Sequence, residues 1–325
     1  MKAISRHAVS FARLGLLCSI LAGFSSAFAG EPRAWLQKML DATRTLNYDG
    51  VFVYRSGTQV ESMRIVHRYS DEGERERLVS LDGVAREVIR DDDFVLCIIP
   101  EDETVHVGKQ LQRGFQANPL FSVGTVPSQY QIELDGDGRV AGRTAKRLRV
   151  SPTDSLRYGY RLWLDASTGL LLRSALVDNR DRVLEEIAYT TLELPESIPD
   201  SSLAPSIDSR GFRRVESGAK ASGQRDAPTD WRIDWKPDGF GLVERVAHPP
   251  NVAHAPMEHW VFSDGLAFVS IFLEAPKDGT AALDGHSSIG AVNAFGRRLD
   301  TYQITVVGEV PALTVERVAQ SIVRQ

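Results

Sequence analysis

Between Trp35 and Leu46 the apolar residues Trp35, Leu36, Met39, Leu40 and Leu46 fall mostly three or four positions apart on a polar background, which predicts one amphipathic helix. Beyond Leu46 the period changes to two. Runs at 51–54, 60–69, 78–81, 87–90 and 94–99 alternate apolar with polar residues between Gly, Asp, Asn and Pro signals, and Asp82-Gly83 reads as a tight turn. In the second run Met63, Ile65, His67 and Tyr69 share one face. After a loop near Asn118 to Ser128 the alternation resumes at 130–134, 143–150, 158–165, 170–178 and 183–192, with Asp135-Gly136-Asp137-Gly138 and the 165–169 segment as hairpin turns. Along 158–164, Tyr158, Tyr160, Leu162 and Leu164 make one apolar face, while Trp163 interrupts the polar face and points to a second layer. A meander of about ten strands is large enough to curl.

Residues 195–229 read differently. Pro195, Pro199, Pro205 and Pro228 are interspersed with Ser, Asp, Gly and Ala, the composition of a flexible linker. Beyond it Trp231 and Trp235 open a second block, with strand-like runs at 241–247, 257–262, 266–274, 289–298 and 302–308 and a short terminal helix marked by Val315, Val318, Ala319 and Ile322. The expected organisation is therefore a leader at 1–29, a large β-rich domain at 30–194, a linker at 195–229 and a small α+β domain at 230–325.

The leader follows from Lys2, Arg6 and Arg13, an apolar run from Leu14 to Phe24, and the small-x-small pattern Ala27-Phe28-Ala29. That run is too short for a membrane span. Cleavage after Ala29 takes the formal charge of the 325-residue chain from −5 to −8, an acidic protein outside the cytoplasm with no field to attract nucleic acid. Leu17 before Cys18 lacks the small side chain of a lipidation site, and loss of Cys18 leaves Cys97 alone, so no intrachain disulfide can form.

No motif carries chemistry. Around Ser287 and Ser288, Gly285 and Gly290 miss the nucleophile-elbow spacing, and the stretch reads as a glycine-rich loop. His254, Glu258 and His259 resemble a shuffled zinc motif with Pro256 where a helix would be needed, which favours a loop. The 135–138 turn lacks the third acidic position and the distal Glu of a calcium loop and reads as a hairpin turn. His67 reads as a hydrogen-bonded core or cavity-wall histidine and Cys97, in the apolar run 94–99, as a buried, inert thiol. Asp91–Asp93 and Glu101–Glu103 are solvated strand ends. Catalytic residues, metal ligands and cofactors are expected to be absent.

A resemblance adds to this. Trp35-Leu36, Tyr48-x-Gly50-x-Phe52-Val53-Tyr54, His67-Arg68 and 74–88, then Val140–Arg143, Arg157-Tyr158-Gly159-Tyr160 and Asp165-x-x-Thr168-Gly169-Leu170, then Trp235-x-Pro237-x-Gly239-Phe240, Asp264-Gly265-Leu266 and 306–311, run in the order of the RseB/MucB family of periplasmic regulators, which the chain resembles over nearly all its mature length. The resemblance implies an unclosed antiparallel β-barrel of LolA/LolB type with a covering helix, followed by a smaller α+β domain. It also implies a regulator that binds the periplasmic domain of an RseA/MucA-type anti-sigma factor, shields it from DegS-type proteolysis, and lets go when lipid or lipopolysaccharide acyl chains bind.

The residues supply candidates for an acyl-chain groove, namely Phe52, Tyr54, Met63, Ile65, Tyr160, Leu162, Leu164 and Leu172 on alternate strand positions. Ordinary core packing explains the same pattern. A lipid or lipoprotein carrier is the alternative function, a hydrolase around His254, His259 and Ser287 the third, and an open sheet edge leaves self-association open.

Overall fold

The structure is a computed structural model, in which residues 25–91, 94–108, 126–216, 229–248, 256–275 and 283–325 are described. Helix α1 (Ser25–Thr45) leads into strands β1 (Tyr48–Ser56), β2 (Gln59–Ser70), β3 (Gly73–Ser80), β4 (Glu87–Asp91), β5 (Val95–Ile99) and β6 (Thr104–Gly108). A second run follows with β7 (Tyr130–Val140), β8 (Arg143–Pro152), β9 (Gly159–Asp165), β10 (Leu171–Val177) and β11 (Val183–Glu193), then α2 (Asp200–Leu203) and β12 (Arg213–Glu216). These strands form one twelve-stranded sheet in which the two meanders meet where β1 pairs with β11, and β7 and β12 are the edges. Although β7 lies four places from β11 along the ladder, it curls back within reach of it. The unclosed sheet with its covering helix is the expected architecture.

Helix α1 lies on the concave face because Leu36, Met39 and Ala42 bury on one side of it. Lys38 ties it down by donating from Nζ to the Ser167 carbonyl at 2.8 Å. Gly169 (φ +85°) makes room: a Cβ there would sit 2.6 Å from Lys38 Cγ.

The small unit has a six-stranded sheet in the order β14 (Gly241–His248), β15 (Met257–Ser263), β16 (Phe268–Glu274), β19 (Tyr302–Gly308), β18 (Val292–Leu299) and β17 (Gly285–Ile289). Helix α3 (Ala312–Gln320) buries Val315, Val318 and Ala319 against Trp260, Ile271, Ile304 and Val306, and the short strands β13 (Trp231–Ile233) and β20 (Ile322–Arg324) pair beside it.

Several expectations are corrected. The 285–290 stretch is no loop: it is edge strand β17 plus the turn at Gly290. Asp135 to Gly138 is an irregularity inside β7 between Leu134 and Asp137, and the hairpin turns instead at Ala141-Gly142, where both residues have positive φ. Asp82-Gly83 belongs to the six-residue connection from β3 to β4, with the Asp82 carboxylate accepting from Ser62 N. Among the described residues Trp163 lies under the Arg173 guanidinium, 4.3 Å from its ring centroid, in place of the expected second layer.

The largest departure is the linker. Its first half is a strap across the outer face of β2–β4, where Ile198 and Leu203 bury against Val66. The fully buried Glu87 carboxylate accepts from the backbone N of Ser206 and Ile207 at 3.0 Å and pairs with Arg77. Arg68 donates to Asp200 at 2.7 Å. The strap ends as β12, which adds in parallel to the β6 edge. Composition missed this because three apolar residues and one buried carboxylate are enough to hold it.

Candidate functional site

The concave face is built in rungs that cross the sheet. One rung carries Leu148, Leu162, Ser174, Ile187 and Tyr54 on β8, β9, β10, β11 and β1; the next carries Val150, Tyr160, Leu176, Glu185 and Ser56. Their common face follows from the two-residue period of the pleat, which keeps cross-strand partners on one side. Phe52 and Met63 are direct partners on β1 and β2.

The candidate groove residues fall into two adjoining clusters. Phe52, Met63, Ile65 and the half-buried Tyr54 gather under Ala42 and Leu46. Tyr160, Leu162 and Leu164 gather with Tyr130, Leu148 and Val150 under Leu36 and Met39. Leu172 is buried but is the extra residue of an irregularity between Leu171 and Arg173, outside both clusters.

The second cluster also contains Leu266 and Ala291, from the β15–β16 and β17–β18 turns of the small unit. These two tips enter the end of the curled sheet lined by Tyr130, Tyr158 and Tyr160, so the small unit stoppers the concave face. Gly290 is forced by this approach: it has φ +58°, and a Cβ would fall 3.3 Å from Glu185 Oε1 and closer still to Ser56 Oγ.

Polar groups fix the seating around the tips. Arg157, fully buried, donates from Nε to Asp264 Oδ2 at 2.5 Å, pairs with Asp154, donates to the Asp238 carbonyl, and lies 5.1 Å from the Phe240 ring centroid. Asn293 Nδ2 donates to Tyr158 Oη at 2.9 Å and to the Val310 carbonyl at 2.8 Å, and Thr314 Oγ1 donates to the Leu156 carbonyl at 2.8 Å. Burial, and then the Asp264 charge, push the Tyr130 phenol far up, so it stays a neutral donor to that carboxylate at 3.3 Å.

One acidic pair stands inside this seam. Burial, and then repulsion from Glu185, push the Glu309 carboxyl up to about 7. Glu185 accepts from Ser56 Oγ at 3.0 Å, and burial and Glu185 together push the nearby Tyr54 phenol up to about 12.

The hydrolase grouping is not assembled. His259 is on β15 with its ring stacked on Phe272 at 4.4 Å, while Ser287 is exposed on β17, four ladder steps and roughly 19 Å away at the usual strand spacing. His254 lies outside the described residues. Glu258 accepts from Thr229 and Trp260, and no group of three metal-binding side chains occurs among the described residues. His67 is fully buried, with Nδ1 2.8 Å from the Leu46 carbonyl, Nε2 3.0 Å from Glu74 and its ring stacked on Tyr48, a structural histidine as expected. Cys97 is only half-buried, a correction to the sequence reading; burial raises its pKa while Arg86 pulls it back.

Sequence reasoning missed the seam, although its two halves were in view. Arg157-Tyr158-Gly159-Tyr160 and Asp264-Gly265-Leu266 face each other there, and each is a charged residue beside a buried apolar one.

Comparison with known proteins agrees with this layout. The MucB/RseB N-terminal domain model matches residues 31–207 and the MucB/RseB C-terminal domain model residues 225–323. The chain is 34% identical over 314 residues to the sigma factor AlgU regulatory protein MucB of Pseudomonas aeruginosa, covering 94% of this chain and 95% of that one. It is 27% identical over 326 residues to the sigma-E factor regulatory protein RseB of Escherichia coli K12, covering 92% and 93%. It superposes on MucB from a Pseudomonas aeruginosa MucA/MucB complex with a TM-score of 0.71 at 30% identity, covering 91% of this chain and 99% of that one. With both domain models matched in order and the seam motifs in place, the chain belongs to the MucB/RseB family.

Proposed function

We propose that this chain is a periplasmic, non-catalytic regulator that binds the periplasmic domain of a MucA/RseA-type anti-sigma factor and shields it from DegS-type proteolysis until lipid releases it. The observation that carries the reading is the match over both domains to a MucB solved together with MucA. Leader cleavage after Ala29 and export fit the same reading.

Lipid enters this reading through the concave face. An acyl chain lying along Phe52, Met63, Tyr160 and Leu162 competes for the space that Leu266 and Ala291 fill, so lipid binds better when the small domain is unseated. If the anti-sigma partner prefers the seated arrangement, the two ligands oppose each other reciprocally. No covalent step is required.

The test is calorimetric titration of residues 30–325 with the periplasmic domain of the host's anti-sigma factor, repeated after saturation with lipid A. Stoichiometric binding that weakens with lipid is expected. Binding that ignores lipid would remove the release step, and no binding in either state would move the reading to a lipid or lipoprotein carrier.

A further inference from the structure

We propose that β17 is a self-pairing edge, where two copies of this chain join antiparallel about a two-fold axis at Ser287 and their six-stranded sheets run on as one. The inference goes beyond the partner and lipid of the functional reading and depends on neither.

An edge strand presents unpaired N–H and C=O groups, and folded chains guard it with charge, proline, irregular register or brevity. Edge β7 carries Glu133, Asp135, Asp137 and Arg139 and the irregularity between Leu134 and Asp137. Edge β12 is four residues long, and three of them are Arg213, Arg214 and Glu216. Edge β14 has Glu244, Arg245 and a register shift between Leu242 and Glu244. The paired strands β13 and β20 are three residues each and carry Arg232 and Arg324. Among the described residues β17 is the exception. It reads Gly-His-Ser-Ser-Ile, without Asp, Glu, Lys, Arg or Pro, and pairs with β18 at five consecutive positions without a shift. It ends the ladder, and His286, Ser287, Ser288 and Ile289 are all exposed.

The fit of the strand to itself selects a second copy as the occupant. With the axis at Ser287, that residue faces its own counterpart, His286 faces Ser288, and Ile289 faces Gly285. Ile289 is 82% exposed in the single chain, the most open of the large apolar side chains among the described residues. In the pair it lands on the one position of the strand that has no side chain, where nothing lies within 4 Å of the place a Cβ would occupy. Charge favours the same contact. The full chain carries a formal −5, so two copies repel on approach, and the repulsion is least at a strand without acidic side chains.

Five residues a side are few against the roughly 20–30 of a standard interface, so the dimer is weak and depends on concentration. The hairpin that makes it also carries Ala291 into the concave face, which puts the contact between copies one strand away from the seam.

Sedimentation velocity of residues 30–325 from about 5 µM to about 500 µM should show monomer giving way to dimer as concentration rises. Ser287→Lys sets two like charges face to face on the axis and should stay monomeric throughout, with unchanged melting. Oxidation in a Cys97→Ser background reads the register. Ser287→Cys should form an intermolecular disulfide because its counterpart lies directly opposite, whereas Ser288→Cys should not, its counterpart being two residues off and roughly 7–8 Å away. A wild type that stays monomeric overturns the proposal, as does a dimer indifferent to Ser287→Lys or equal crosslinking at both positions. A monomeric wild type whose anti-sigma binding is lost in Ser287→Lys assigns the edge to that partner and overturns self-pairing too.

Discussion

Arg157 of the large domain and Asp264 of the small one share a 2.5 Å hydrogen bond, and both side chains are fully buried. Breaking such a pair strands a charge. Asp264→Asn should cost about 3–5 kcal/mol of seating free energy. The expected result is one denaturation transition splitting into two, one per domain, read by circular dichroism and differential scanning calorimetry; a single transition shifted by less than about 1 kcal/mol would show that the pair does not couple the domains.

Gly290 is the tightest backbone approach in the seam. Gly290→Val places a branched side chain at φ +58° against Ser56 and Glu185, so the two turn tips should back out of the concave face. Small-angle scattering should report a larger radius of gyration, with the small domain's own melting unchanged.

Locking the seam should make release impossible. Ser155 and Leu313 are exposed neighbours of the hydrogen-bonded Leu156 and Thr314, so cysteines introduced there in a Cys97→Ser background can be bridged by a short bis-maleimide. The bridged protein should keep its anti-sigma partner when lipid A is added, whereas the unbridged one lets go. Equal release from both would sink the rearrangement.

The strap depends on one carboxylate. Glu87→Ala removes the acceptor for Ser206 and Ile207 and leaves Arg77 without its buried partner, a loss of about 3–5 kcal/mol. Limited proteolysis should then cut within 198–216, while the wild type should resist cleavage there.

Asp165 makes the β9–β10 turn acid-sensitive. Burial raises its pKa, but Arg143 at 2.5 Å and the donors of Ser167 and Thr168 outweigh that and hold it below the usual range. Its contribution is present above the ordinary Asp pKa near about 3.9 and is lost as pH falls below it. Asp165→Asn should be less stable at neutral pH and should show a flatter fall of stability below about pH 4 in urea titrations.

Much of the fold was legible because alternation and turn residues agree: the two meanders, the α1 cover and α3 each follow from a period in the chain. The strap and the seam were not. Glu87 looks like any strand-end glutamate until Ser206 and Ile207 are folded over it, and Arg157 like a surface arginine until Asp264 arrives from another domain. A buried ion pair has no period. The groove candidates line one face of the sheet, apart from Leu172, whose irregular position breaks the alternation that nominated it.

The middle of the large sheet is also its most distant contact along the chain. Thr190 bonds to the Val51 carbonyl across 139 residues, whereas β1–β6 and β7–β11 are each built from neighbouring hairpins. Loop-closure entropy makes that central ladder the slow step, so the sheet assembles from two wings inward and the concave face exists only once the wings have met. During that interval the inner faces of both wings stand open, and helix α1, which precedes both wings along the chain, is the described element placed to cover them.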